Sequence, residues 1–291
     1  MNENFDRQYR LKVGVAGQSG FEAGKSVGNT GMPLRISFQI EKSDDTSSNS
    51  ATVKVWNLNK QHRSEFRKEK CRLELQAGYG ENLPLIFCGY VTTVDYEKDG
   101  ADRVIVAEAY DGLVELKDTY ISVTYAANTS AQAVVDGIAS KMSCAVVYSP
   151  AAEQALKGKK MRNGFSAIGH AKDALSKICE TCGLAWTMQN GVIQIVVNGQ
   201  PISERVYVLS PPTGLIGEPK LCDMTDRNDS NVKYKGYEVE YLLNGAIGIN
   251  DLVYLDSGNK KGFFKVFKLT ISGDNFQSNW SCKAEMREVV V

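Results

Sequence analysis

The stretch that comes nearest to chemistry is Ser-Gly-Phe-Glu-Ala-Gly-Lys-Ser at 19–26. A phosphate-binding loop needs a glycine, four residues, then Gly-Lys-Ser/Thr opening directly into a helix, so that backbone N–H groups cradle the phosphates. Ser19 stands where the first glycine belongs, and Val27-Gly28-Asn29-Thr30-Gly31 cannot open a stable helix. Six glycines between positions 14 and 31 fit a flexible or hairpin loop instead. Cys179 and Cys182 form a CxxC, yet no second pair completes a four-ligand zinc site. A redox CxxC starts a helix, whose dipole lowers the thiol pKa; this one ends a helix and borders its apolar stripe, which predicts a core role. The two histidines, His62 in a polar run and His170 at a helix start, belong to no HExxH, and no GxSxG elbow occurs. Thirty-four carboxylates offer many acid–base combinations, and none is singled out. The basic run Lys60, Arg63, Arg67, Lys68, Lys70 and Arg72 is interrupted by Glu65 and Glu69. With Asn59 as its cap, that run predicts the solvated face of a short helix, not a phosphate grip. The expectation is a chain that is not an enzyme, with no catalytic, cofactor-binding or metal residues and no cofactor.

Composition points the same way. The chain has 291 residues, 43% hydrophobic and 23% charged, which is ordinary for a globular protein with two or three domains. Thirty-four basic residues balance thirty-four acidic ones, excluding a protein that grips nucleic acid or anionic lipid over its whole surface. The first ten residues carry no apolar core of a secretory signal, and no apolar run approaches 18 residues, so no membrane association is expected. Seven cysteines, an odd set scattered through apolar segments, predict reduced and mostly buried thiols in a protein made in a cytoplasm.

The elements that would position these residues announce themselves by two-residue alternation. Leu34, Ile36, Phe38 and Ile40 alternate with Arg35, Ser37, Gln39 and Glu41; Leu73, Leu75 and Ala77 repeat the pattern. So do Tyr237, Val239, Tyr241 and Leu243, and Trp280, Cys282, Ala284 and Met286. Each reads as a strand with one buried and one wet face, the habit of antiparallel sheets. The middle differs. Thr129 and Gln132 have capping-box spacing before Val134, Val135, Ile138 and Met142, and Ile168, Ala171, Leu175, Ile178 and Cys182 step at helical spacing to Gly183. Trp186 then leads to Asn190-Gly191, a tight hairpin, with Ile193, Ile195 and Val197 returning. A small α/β domain is therefore expected at 117–200, between β domains at 1–116 and 201–291.

The segments 87–111 and 263–289 run alike, strand, charged turn (Glu97-Lys98-Asp99-Gly100 or Gly273-Asp274-Asn275), strand, a pattern of internal duplication. Segment 211–235 reads as lacking regular structure, a length that often marks an interface loop. Exposed strand edges need pairing or cover. Together these predict that the 14–31 and 211–235 loops and the edges of both β domains are ordered by neighbouring subunits.

Several stretches together resemble the baseplate hub proteins of contractile-tailed bacteriophages. They are the strand–loop–strand at 34–59 closing on Asn57-Leu58-Asn59, then 73–96 with Ala77-Gly78-Tyr79 before Ile86-Phe87 and Gly89, ending at Ala109-Tyr110-Asp111-Gly112. TGLIGEPK at 213–220, LLNGAIGINDLVYLDS at 242–257, and the final segment with Gly273-Asp274 and Trp280 continue the series. The resemblance implies a mainly β fold, two tail-tube-like β domains flanking or enclosing a small α/β domain. It implies a homotrimer that joins the hexameric tail tube protein to the trimeric central spike protein and surrounds the DNA exit channel, without binding DNA specifically. Tape measure protein and baseplate wedge components would be its further neighbours. Its place would be the virion tail baseplate, assembled in the host cytoplasm; a bacteriocin or type VI-like injection device would use a similar hub. The alternative is a tail-associated cell-wall hydrolase, which needs two carboxylates or a metal triad in one cleft. A carbohydrate-binding β module would show clustered exposed aromatics, whereas the aromatics here alternate into strand cores.

Overall fold

The structure is a computed structural model that describes residues 6–25, 34–225 and 233–289. The chain opens with a hairpin of β1 (Arg7–Gly14) and β2 (Phe21–Gly24). A first run follows: β3 (Ile36–Ser43), β4 (Ser50–Trp56), α1 (Lys60–Glu65), β5 (Arg72–Tyr79), β6 (Leu85–Asp99) and β7 (Asp102–Tyr110), closed by α2 (Leu113–Lys117). The middle holds β8 (Tyr120–Tyr125), β9 (Thr129–Ser130), α3 (Ala131–Lys141), β10 (Ala145–Tyr148) and α4 (Pro150–Leu156). It continues through β11 (Lys160–Met161), β12 (Phe165–His170), α5 (Ala171–Thr181), β13 (Leu184–Gln189) and β14 (Val192–Val197). A last run comprises β15 (Val206–Leu209), β16 (Leu215–Thr225), β17 (Lys233–Leu242), β18 (Leu252–Asp256), β19 (Lys261–Asp274) and β20 (Trp280–Glu288).

The protein is mainly β, with one large sheet and a small α/β layer. Among the described residues the large sheet runs β16-β17-β20-β19-β3-β4-β7-β6-β5-β1-β2, and β18 and β15 continue from the first part of β19. Its pairs are antiparallel except β15–β18. The alternation in the sequence is realised as expected: Ile36, Phe38 and Ile40 are buried while Gln39 and Glu41 are exposed, and Trp280, Cys282, Ala284 and Met286 are all buried. One core joins side chains of both runs, from Leu11 and Ile40 to Ile271 and Met286. Each large apolar side chain withdrawn into it contributes about 1.5–3 kcal/mol.

A second core lies under the middle segment. Leu175 and Ile178 of α5 and Val134, Val135 and Ile138 of α3 pack with Ile193 and Ile195 of the sheet β10-β14-β13. Gly183 takes φ +74° just past α5, and Asn190-Gly191 turn the β13–β14 hairpin at φ 54° and 80°, a conformation that suits these residue types.

Four expectations need correction. Ser130, not Thr129, caps α3: its hydroxyl accepts from the Ala133 N–H at 3.2 Å, while the Thr129 hydroxyl donates to the Ala126 carbonyl. Ile168 is not part of α5; it lies in β12 opposite Ser122 of β8 and is 88% exposed, because the helix starts only after His170. The described part of segment 211–235 is not irregular: a 3-10 turn at Pro211–Thr213 leads into β16, and β17 begins at Lys233. Its Gly217 and Pro219 fall where the β16–β17 register shifts, which breaks the alternation. Glu97, Lys98 and Asp99 still belong to β6, and the turn is confined to 100–101. The rest of that loop, 226–232, lies outside the described residues, as does 26–33.

Candidate assembly interface

The residues that suggested chemistry are held in structural roles. Phe21 of the Ser19–Ser26 stretch is on strand β2 and stacks on His62 at 4.8 Å, and Lys25 pairs with Glu81 at 2.6 Å; Ser26 lies outside the described residues. Such a strand offers no helix N-terminus to a phosphate. Cys179 and Cys182 are buried at the C-terminal end of α5, and burial pushes the Cys182 thiol up, away from a reactive thiolate. His170 packs against Tyr120 with ring centres 4.1 Å apart. Helix α1 has no buried residue but carries only Lys60 and Arg63 of the basic run. Arg67, Lys68 and Lys70 lie beyond it and Arg72 opens β5, so the run is not one helix face. Among the described residues no three His, Cys, Asp or Glu side chains are grouped to hold a metal ion. Tyr96, Tyr120 and Phe276 are exposed, so not every aromatic turns into a strand core, but they stand on separate elements.

The densest polar cluster joins the two cores. Asp111, just past β7, accepts from the Asn190 and Gly191 N–H groups at 2.5 and 2.8 Å. Asn49 donates to the Met188 carbonyl at 2.8 Å, and Lys42 donates to Asn190 Oδ1 at 2.9 Å. Burial raises the Asp111 pKa, opposed by Lys42, and burial lowers Lys42 to about 8. These charges are committed to holding a hairpin.

What the sheet offers instead is edges. The two runs repeat one order: β3-β4-β7-β6-β5-β1 in the first and β16-β17-β20-β19-β18-β15 in the last. The long strands β6 and β19 even share a bulge, with register shifts between Val91 and Thr93 and between Val266 and Lys268. Each long strand gives its first half to a short neighbour, β5 or β18. The second half of β19 pairs with β3, from Lys268–Ser43 to Asp274–Ser37, and so welds the last run to the first.

This seam is closely made. Phe38 meets Trp280 edge-on at 5.4 Å, and the space above Gly273 is filled by the Phe38 ring. Arg35 lies over Trp56 at 4.1 Å and reaches Asp274 at 3.3 Å, while Asn275 exchanges hydrogen bonds with Ile36 and Leu34. Among the described residues, the matching second half of β6, beyond Val91, has only β7 beside it, and β16 has only β17. Sequence reading found the strands but not this seam. Gly273 and Asp274, expected in a turn, belong to β19 and pair with Phe38 and Ser37, and the turn follows at 275–279.

Solved structures share this fold over almost the whole chain. A tail protein from Neisseria meningitidis MC58 superposes with a TM-score of 0.62 at 9% identity, covering 96% of both chains. The 43 kDa tail protein of prophage MuSo2 from Shewanella oneidensis gives 0.64 at 10% identity, again over 96% of both. An E. coli type VI secretion component, described as structurally similar to the T4 bacteriophage tail proteins gp27 and gp5, gives 0.57 at 9% identity over 96% of this chain and 77% of that one. No family model matches the sequence, and no curated protein matches it. At these identities the likeness establishes the fold: this chain is built like these phage tail and type VI secretion proteins.

Proposed function

We propose that the chain is the hub of a phage-type tail baseplate. Three copies close a ring in which 1–116 and 201–291 serve as six tail-tube-like units, with 117–200 as a peripheral α/β domain. One face of the ring then offers pseudo-sixfold symmetry to the hexameric tail tube, and the other keeps threefold symmetry for a trimeric central spike. DNA leaves through the middle without specific contacts, and tape measure and wedge proteins are the neighbouring components. The role is structural, in the virion, with assembly in the host cytoplasm.

The observation that carries this reading is the repeated strand order with one seam satisfied inside the chain and its two counterparts left open among the described residues. A head-to-tail contact of this kind generates a closed ring when the rotation fits. The likeness to an E. coli protein described as similar to gp27 and gp5 supports the same reading. Light scattering with negative-stain images tests it. Three chains in a ring with a central hole are expected; a compact monomer at all concentrations overturns the hub.

A further inference from the structure

The register of the subunit contact is written in the chain's own seam. We infer that the second half of β6 pairs antiparallel with β16 of a second copy, with Tyr96 opposite Leu221 and Glu97 opposite Lys220. This inference rests on the hub reading and names the surface that reading requires.

The correspondence follows from printed pairs across the sheet. Ile40 pairs with Ala51, Ala51 with Ala109, and Ala109 with Val91. In the last run Leu221 pairs with Tyr237, Tyr237 with Met286, and Met286 with Val266. Because Val91 and Val266 both precede the bulge, Leu221 stands where Ile40 stands. Counting three residues beyond the bulge, Tyr96 stands where Ile271 stands. Ile271 pairs with Ile40 in the seam, and both are buried. Tyr96 and Leu221 are instead 45% and 70% exposed, as two halves of an unmade contact would be.

The neighbouring positions agree. Carrying the same register along gives Glu97 opposite Lys220 and Thr93 opposite Met224, in the stretch where β16 and β17 keep one continuous register. Opposite charges face one another at the exposed pair, whereas a one-residue slip would set Lys220 against Tyr96 or Lys98. Slips of two residues, which bring Asp95 or Asp99 opposite Lys220, are separated from this register by the shared bulge and not by charge. Pro219 falls opposite Lys98 at a hydrogen-bonding position, and with no N–H to donate it ends the ladder there, so the pairing runs from Thr93–Met224 to Glu97–Lys220.

Asp95 falls opposite the native Cys222, whose side chain is half-buried and on β16. The equivalent seam pair, Thr270 with Glu41, is one of the closer, non-hydrogen-bonded pairs, since Asp44 and Ile36 of the opposite parity bond across the seam. Such pairs have Cα atoms about 4.5 Å apart, within disulfide range. Inside one chain β6 and β16 are separated by seven strand spacings of about 4.8 Å, so an internal bridge does not compete.

The test is Asp95→Cys, oxidised with diamide and read on a non-reducing gel beside its mass in solution. Cross-linked dimers and trimers are expected, lost in Asp95→Cys/Cys222→Ser and absent with Glu97→Cys, which is two residues out of register. In the charge arm, Glu97→Lys, which also loses the 3.0 Å pair to Lys54, is expected to weaken trimer association about fivefold. Glu97→Lys/Lys220→Glu should restore part of it, whereas Lys54→Ala alone should leave association unchanged. A trimer that shows no Asp95→Cys cross-link to Cys222 overturns this register and leaves the hub standing. A chain that is monomeric throughout overturns both.

Discussion

The Asp111 carboxylate accepts the Gly191 N–H at 2.8 Å, across a span of 80 residues, and so pins the β13–β14 hairpin to the end of β7. Asp111 is an acceptor to two backbone donors at once, a task that an amide of the same shape cannot repeat on both oxygens. Asp111→Asn is expected to lower stability by about 2–3 kcal/mol in urea titration and to speed amide exchange at Asn190 and Gly191. Unchanged exchange at that hairpin would show that Asp111 does not hold it.

Gly273 lies at the seam where a Cβ would come within 2.3 Å of the Phe38 ring and 2.8 Å of Trp280. Gly273→Ala therefore overpacks the contact between β19 and β3, and a loss of about 1–3 kcal/mol is expected from thermal or urea unfolding. Phe38→Leu in the same chain should recover part of that loss by opening the space.

Asp251 accepts the Gly248 N–H at 2.7 Å in a partly buried site, and desolvation raises its pKa from 3.8 to about 6. Between those two values the folded chain holds a proton that the unfolded chain has released, so this group's contribution falls as pH rises from about 4 through about 6. Asp251→Asn removes the charge and keeps an acceptor. Its stability relative to the parent should rise by about 2 kcal/mol between pH 4 and pH 7.5, read from paired urea curves. A difference that does not change with pH would place the titration elsewhere.

Ser130 caps α3 and Thr129 does not. Ser130→Ala is expected to cost about 1 kcal/mol of stability, and Thr129→Ala clearly less. Equal losses would contradict the assigned start of the helix.

Much of the fold was legible because the signals are local. The alternation at 36–40 and 280–286 reports which side of each strand is wet, whatever lies beside it. Asn190-Gly191 and Gly183 favour left-handed φ through their own backbone preferences, so the hairpin and the end of α5 could be read without neighbours. Ile168 was misread because a spacing of three to Ala171 mimics a helix, whereas pairing with β8 keeps that segment extended. Segment 215–225 was missed because Gly217 and Pro219 interrupt its pattern, and only the β17 ladder makes it a strand.

The sequence by itself determined the strands, their buried faces, the amphipathic α5 and the absence of a recognisable catalytic motif. Tertiary structure decided which strands are neighbours: that β19 joins β3 across more than two hundred residues, and that, among the described residues, the second half of β6 and the outer side of β16 have no neighbour. The physical reason is that ladders are made by backbone N–H and C=O groups, which almost every residue carries alike. Side chains therefore announce a strand's two faces, while its partners are chosen only when the whole sheet is assembled.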